Sequence, residues 1–303
     1  MPGGIHTSEG WPDLLEPGLY KIFDGAATRF TEKDSMLSSI YTVKKTTKSY
    51  EKESSATDLG DFTEFTGTVA YDETYQGYDK KTEFTEYVKG IKVERKLFDD
   101  DLYNIINQRP KQLGYSAVRT REKYAAKMFN EAFTTELSDG DGAELCASDH
   151  ASPSGGAAQS NEGTTALSAT AVETVRRAMS AFKGQNGETI SINMDTILVP
   201  IALEETAYEI INSKGKIDTA DNNVNFHYGK YKLLVWKNFL TDSNNWFGID
   251  YELMKDMLTW WDRVGIEFFQ DKDSDTLLAK YIAYMRYNTS YSDWRWIYGQ
   301  KVA

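Results

Sequence analysis

The sequence predicts an α+β fold, and three observations carry that reading. Helical and extended segments are mixed without the regular strand–helix–strand order of a doubly wound parallel sheet. One stretch, 111–137, places apolar residues at helical spacing along its length. Roughly the last fifty residues read as antiparallel strands parted by short polar turns.

The N-terminal residues 1–35 are interrupted by Gly3, Gly4, Pro12, Pro17 and Gly18, and only Leu19 to Phe23 offers a surface able to pair or pack. Such a segment is expected to be an arm, ordered where a neighbour ties it down. A long extended stretch follows from about Ile40, with little apolar surface of its own. Its charge is sorted. From Glu51 to Asp79 the acids Glu51, Glu53, Asp58, Asp61, Glu64, Asp72, Glu73 and Asp79 stand against one base, Lys52. From Lys80 to Lys96 the bases Lys80, Lys81, Lys89, Lys92, Arg95 and Lys96 outnumber Glu83, Glu86 and Glu94. A fold-back near Gln76-Gly77-Tyr78 would pair an acidic strand with a basic one, each facing pair adding about 0.2–1 kcal/mol. In the second arm Tyr87, Ile91 and Val93 alternate with Glu86, Lys92 and Glu94, although Gly90 weakens the period. A two-stranded hairpin alone is marginal in water, so this one is expected to lie on an outside surface, first of all another copy of the chain, the alternative being an ordinary hairpin packed on its own domain.

Asp99, Asp100 and Asp101 place carboxylates at the start of a short helix over Leu102–Asn107, and Arg109-Pro110 is expected to stop it. The long helix then runs over Lys111–Leu137. Val118, Ala125, Met128, Phe129, Ala132 and Phe133 share one face, with Arg119, Arg121, Glu122, Lys123, Lys127 and Glu131 on the rest. At a rise of about 1.5 Å per residue it spans about 40 Å, which suits a strut across a flat domain. Ser138-Asp-Gly-Asp-Gly142 ends it, and residues 138–168 are loop by composition. A helix is expected from Ser168 or Thr170 to about Phe182, a strand over Thr196–Pro200, a helix over Ile201–Ile211 and a strand over Tyr231–Trp236, with 214–229 a polar loop. The terminal strands fall at Val264–Gln270, Ala279–Tyr287 and Trp294–Tyr298. No internal repeat is visible.

Bulk properties narrow the class. A chain of 303 residues can hold two domains, or one domain with large excursions. Hydrophobic residues make up 40% and the mean hydropathy is −0.55, with no apolar run near the ~20 residues of a membrane span. The first residues lack the layout of a signal peptide. A single cysteine, Cys146, excludes an internal disulfide and suits a reducing compartment. The net charge is −12, and no basic run exceeds Lys44-Lys45 or Lys80-Lys81. That argues against recognition of nucleic acid, though enclosing DNA suits an acidic surface. Aromatic residues reach 13%, and Tyr and Trp are enriched where one side meets a partner and the other meets water, so the composition leans toward assembly.

Catalytic constellations are thin. The histidines are His6, His150 and His227, none in a recognised motif. Cys146-Ala-Ser-Asp-His150 invites a thiol–imidazole pair or a metal half-site. A Cys/His enzyme needs its base positioned by the fold, however. A tetrahedral zinc site needs about four ligands, and no second cysteine exists. A loop cysteine and a loop histidine are the better reading. Gly140, Gly142, Gly155 and Gly156 lack the lysine and frame of a phosphate-cradling loop. The acidic pairs Asp99–Asp101, Asp271–Asp273 and Glu204–Glu205 read as solvated faces or caps. No catalytic, cofactor or metal residue is assigned, and the chain is read as structural, not an enzyme.

The order of parts resembles the major capsid protein of tailed bacteriophages, the Hong Kong 97 fold. Three phrases carry the likeness: Leu145-Cys-Ala-Ser-Asp-His150 with Ser160-Asn-Glu-Gly163 and Leu167-Ser-Ala-Thr-Ala171; Ile197-Leu-Val-Pro200 leading into Leu203 and Ala207; and Trp246-Phe-Gly-Ile-Asp250 ahead of the terminal strands. The last is much like Mu-type prophage head subunits. The resemblance implies an N-terminal arm over 1–39 and an extended E-loop over 40–98 that lies on the neighbouring subunit. It also implies a peripheral domain over 99–150 and 255–290, with its spine helix at 111–137, and an axial domain over 151–254 and 291–303. Such a subunit self-assembles into pentamers and hexamers of an icosahedral shell around double-stranded DNA. The implied setting is the virion capsid, assembled in the host cytoplasm, with portal, scaffolding and decoration proteins as partners and no membrane. DNA would be enclosed without sequence-specific binding. Tyr75, Gly77, Tyr78, Lys80 and Lys81, at the hairpin tip, become the expected inter-subunit contacts.

Some members carry a removable scaffold segment at the N-terminus. None is seen here, so scaffolding is expected from a separate protein, or the sequence is close to mature. Other members cross-link an E-loop lysine to an asparagine. Lys80 and Lys81 are near the tip, but no acceptor stands out, and they read as surface lysines. An encapsulin-like compartment would keep the fold and change the role. A tail tube or sheath subunit would build open helical polymers instead.

Overall fold

The computed structural model describes residues 12–56, 76–94, 105–137, 141–152, 155–215, 224–273 and 278–303, with isolated positions at 59, 62, 64, 65, 67, 69, 71, 96 and 276. The first half contributes α1 (Pro12–Asp34), α2 (Leu37–Ile40), β1 (Thr42–Lys45), β2 (Tyr50–Ala56), β3 (Gln76–Glu83), β4 (Thr85–Glu94) and α3 (Ile105–Asn130). The second half contributes β5 (Glu162–Gly163), α4 (Ala169–Ser180), β6 (Thr196–Pro200), α5 (Glu204–Asn212), β7 (Lys232–Trp236), β8 (Trp246–Ile249), α6 (Tyr251–Met257), β9 (Leu258–Asp273), β10 (Leu278–Tyr291) and β11 (Ile297–Gln300).

The terminal strands build a longer hairpin than their sequence pattern suggests. β9 and β10 pair antiparallel from Leu258↔Tyr291 to Asp273↔Leu278, with the register slipping around Arg286. β1 joins β9 in parallel and β4 joins β10 antiparallel, giving the order β1-β9-β10-β4. Along β10 the buried Tyr281, Ala283, Met285 and Tyr287 alternate with half-buried residues, the pattern of a strand with one covered face. The covering layer is α1 and α3. Leu113, Ala117, Ala125 and Phe129 of α3 join Phe23 of α1 in the core, while Leu19 packs with Val93 and Tyr281.

Residues 12–34 are therefore a helix where an arm was expected. It runs through Pro17 and Gly18 because Leu19, Phe23, Ala26 and Ala27, spaced by three and four, bury against the rest of the fold. Tertiary packing of one face outweighs the local breakers. The approach to α3 is close: a Cβ added at Gly114 would meet the Phe23 carbonyl oxygen at 2.6 Å.

Arg109-Pro110 does not stop a helix either. α3 continues from Ile105 through Pro110 to Asn130, where Pro110 lies close enough to the start that little of the hydrogen-bond ladder is lost. The predicted start at 99–104 lies outside the described residues. The helix also ends before Leu137. The Asn130 side chain binds the segment after β7, donating to the Phe239 carbonyl and accepting from the Thr241 amide, and Thr135–Leu137 form a separate 3-10 turn.

The charged stretch divides differently from its sequence reading. β2 pairs with β3 from Tyr50↔Glu83 to Ala56↔Gln76, so Gln76-Gly77-Tyr78 opens a strand and is not a turn. The basic arm β4 leaves the acidic one and pairs with β10, from Glu94↔Leu278 to Thr85↔Tyr287. Burial decides this, because Phe84 and Val93 enter the core there. A buried side chain of that size contributes about 1.5–3 kcal/mol, more than a pair of facing charges. Charge pairing survives locally: Glu53 faces Lys80, and Lys52 forms an ion pair with Asp79 at 2.8 Å.

The second sheet has the order β5-β11-β8-β6-β7. β6 and β7 are parallel and joined through α5, a crossover that parallel pairing requires. β11 pairs antiparallel with β8, so the three predicted terminal strands are shared between two sheets. Ser168 caps α4, its hydroxyl accepting from the Ala171 amide at 3.1 Å, and Asp250 caps α6 in the same way through Leu253. The predicted helix over 201–211 is a 3-10 turn at Ile201–Leu203 followed by α5.

Candidate assembly interface

The chain between β2 and β3 carries five acids and no base over residues 57–75, interleaved with Leu59, Phe62, Phe65, Val69, Tyr71 and Tyr75. Phe62 is fully exposed, and Leu59, Phe65, Val69 and Tyr71 are each more than half exposed. Large apolar side chains exposed together mark a surface that a partner covers. Of the expected contact residues, Tyr75 lies outside the described residues. Gly77 and Tyr78 are half-buried in β3. Lys80 turns back onto its own chain, its Nζ 3.8 Å from the Tyr291 ring centre and 3.3 Å from the Tyr291 carbonyl oxygen. Lys81 lies over the Tyr50 ring and pairs with Glu83 at 2.6 Å. The structure thus puts the exposed apolar residues ahead of Gly77, in the excursion itself.

A second uncovered patch was not found from sequence. Ile201, Tyr208, Val224, Phe226 and Tyr228 are exposed around α5 and the 224–229 turn. Asn225 fixes that turn, donating from Nδ2 to the carbonyls of Ile210 and Ser213. Lys230 Nζ lies 3.1 Å from the Phe226 ring centre. The signal was present as apolar residues at 224, 226 and 228 within a stretch read as polar loop.

Cys146 and His150 do not form a nucleophile pair. Cys146 is buried, with its Sγ 2.7 Å from where a Cβ on Gly299 would stand. Burial pushes its thiol well above the usual range, so it stays protonated. His150 is buried and stacks on Trp294 at 4.2 Å. Its Nδ1 lies 2.8 Å from Asp141 and its Nε2 3.1 Å from Asn161 Oδ1. Burial raises the Asp141 carboxyl, but the hydrogen bonds from His150 and the Ala143 amide and the charge of His150 together hold it below its ordinary value. Asn161, fully buried, donates from Nδ2 to the Leu145 and Ile297 carbonyls and accepts the Ala147 amide. This cluster locks the loop to β11. Its chemistry is structural.

Glu122 is the other buried charge of note. It accepts the Ser35 hydroxyl and, at 3.2 Å, the Met36 amide, so it fastens the α1–α2 junction to α3. Burial pushes its carboxyl above the usual 4.5, against those hydrogen bonds. A raised folded value means that its contribution to stability is complete below the ordinary value and is lost as pH rises through the raised one. Glu122→Gln is therefore expected to shift the gap between urea midpoints measured at about pH 4 and about pH 7.5 in favour of the higher pH. An equal gap in variant and wild type would contradict the assignment. Among the described residues no cluster of three or more His, Cys, Asp or Glu side chains gathers to hold a metal. No helix among them is long and apolar enough to cross a membrane.

A model of a phage capsid protein family matches residues 77–299, from β3 into β11. Among solved structures, the chain is similar to the capsid of bacteriophage JBD30 decorated with minor capsid protein trimers, at 13% identity and a TM-score of 0.55, covering 68% of this chain and 91% of that one. It is also similar to the capsid of the native GTA particle, at 15% identity and 0.55 over 88% and 89% of the two chains. A third likeness is to the capsid of cyanophage P-SCSP1u, at 10% identity and 0.57 over 87% and 86%. No curated protein matches. The fold is the Hong Kong 97-like capsid fold, and the molecule is a structural shell subunit. The chain belongs to the phage capsid protein family.

Proposed function

We propose that this subunit assembles as pentamers and hexamers into a closed icosahedral shell around double-stranded DNA, and that it has no catalytic turnover. The acidic, aromatic excursion between β2 and β3 carries the reading, since its described large apolar side chains, Leu59, Phe62, Phe65, Val69 and Tyr71, are exposed. Residues 40–98 act as the E-loop, with 57–75 the part laid on the neighbour. The peripheral domain comprises 99–150 and 255–290 with α3 as its spine, and 1–39 is the N-terminal segment that α1 packs against it. The axial domain comprises 151–254 and 291–303, and the exposed patch around Tyr208 and Phe226 faces other copies at the five-fold and six-fold centres. Assembly takes place in the host cytoplasm, with portal and scaffolding proteins. A decoration protein is a further partner, a reading supported by the minor capsid protein trimers on the JBD30 capsid.

Many overlapping weak contacts give such a shell its stability, because each docked segment raises the effective concentration of the next. Negative-stain microscopy and sedimentation of the purified chain test the reading. Closed shells, pentamers or hexamers are expected. A species that stays monomeric at 34.4 kDa under all conditions, or open tubes, would remove it.

A further inference from the structure

The long helix is at odds with the charge of its chain. The protein carries a net charge of −12, yet α3 holds six bases and one acid. The acid is Glu122, which is buried and occupied by Ser35 and Met36. Arg109, Gln112, Ser116, Arg119, Lys123 and Lys127 recur at steps of three and four and so form one stripe, about 27 Å long at the rise of an α-helix. Arg109, Gln112, Arg119 and Lys123 are exposed. Lys127 pairs with Glu136, while Arg109, Arg119 and Lys123 make no ion pair among the described residues. Lys89 on β4 adds to the stripe by donating to the Ser116 hydroxyl at 3.3 Å.

Arg119, Lys123 and Lys127 are successive like charges four residues apart, an arrangement that costs a free helix about 0.2–0.5 kcal/mol per pair. A bound polyanion reverses that sign. Two classes of polyanion are available: the acidic excursion of another copy, and a nucleic-acid backbone. The side chains choose between them. None of the large apolar residues exposed in the described structure lies on α3. Gln112, Ser116 and Thr120 fill the spaces between the cations. A surface of cations, amides and hydroxyls lacks the apolar core of a protein interface and matches one that contacts phosphates and sugars.

We infer that the exposed stripe of α3, with Lys89, is a sequence-independent binding surface for the phosphate backbone of duplex DNA. The inference rests on the shell reading for the presence of DNA, and the stripe gives the enclosed duplex a defined place to lie. Helical spacing spreads these bases over many residues, so the stripe leaves no contiguous basic run in the sequence.

The test measures how the affinity of the purified chain for a random-sequence duplex of about thirty base pairs falls with salt. Each phosphate contact contributes about 0.9 to the slope of log affinity against log salt. The variant Arg109→Gln/Arg119→Gln/Lys123→Gln is expected to lower that slope by roughly 2.7. The charge-matched control Lys45→Gln/Lys214→Gln/Lys237→Gln, at exposed positions elsewhere, is expected to leave it near wild type. Equal slopes in wild type and the stripe variant would overturn the inference, as would equal losses in both variants. A stripe variant that keeps its slope but no longer forms shells would also overturn it, assigning the stripe to another copy. Should the stripe variant not fold, acetylation of wild-type protein decides: Lys123 and Lys89 are expected to be protected by the duplex, and unchanged labelling would be fatal. Shells seen by microscopy together with an unchanged slope would remove this inference and leave the shell reading intact.

Discussion

Replacing residues 57–75 by Asn-Gly is expected to leave the subunit folded and to abolish closed shells. Ala56 and Gln76 are register partners at the ends of β2 and β3, so a two-residue turn can close the hairpin there. None of the described residues of the excursion is buried, whereas Thr82 and Phe84 are. A deletion reaching into 76–84 would therefore damage the fold as well, and the shorter one isolates the assembly role. The effect is expected to be all or none in particle counts by microscopy, with the urea midpoint of the subunit unchanged. Normal particles from this variant would show that the excursion bridges nothing.

Asn161→Ala is expected to destabilise the fold by about 3–5 kcal/mol, because it strands several buried groups together. The Ala147 amide, the carbonyls of Leu145 and Ile297 and the His150 Nε2 all lose their partner. A buried group left unpaired costs roughly 1–3 kcal/mol, and water has little access to this one. Equilibrium urea unfolding measures the loss. A change below about 1 kcal/mol would mean that the loop closes without this side chain and that the network is dispensable.

Legibility in the sequence followed the length scale of the interactions. Where local patterning decides, the reading succeeded: the helix starting near Ser168, the strands over Thr196–Pro200 and Tyr231–Trp236, and the long apolar face from Val118 to Phe129. It failed where distant packing decides. Pro17, Gly18 and Pro110 look like breakers, yet each is inside a helix whose buried face outweighs it. Charge sorting suggested that the acidic and basic arms pair along their length, but β4 takes β10 as its partner because Val93 and Phe84 go into the core. The basic stripe and the patch around Tyr208 needed the fold to appear, since each joins residues far apart in sequence or spaced by helical turns.

The position of α3 has a mechanical consequence. Tyr124 meets Trp260 and Tyr287 of the first sheet at 6.1 and 5.3 Å. Little more than a turn later, Phe129 meets Trp236, Phe247 and Trp296 beside the second sheet at 5.8, 5.5 and 6.2 Å. One rod is thus clamped by aromatic packing at both sheets, and close-packed interiors of this kind yield little. The subunit behaves as a stiff tile. Curvature in a lattice of such tiles has to come from the angles at which they meet, so residues that hinge between copies, and not those inside one, set how tightly the surface bends.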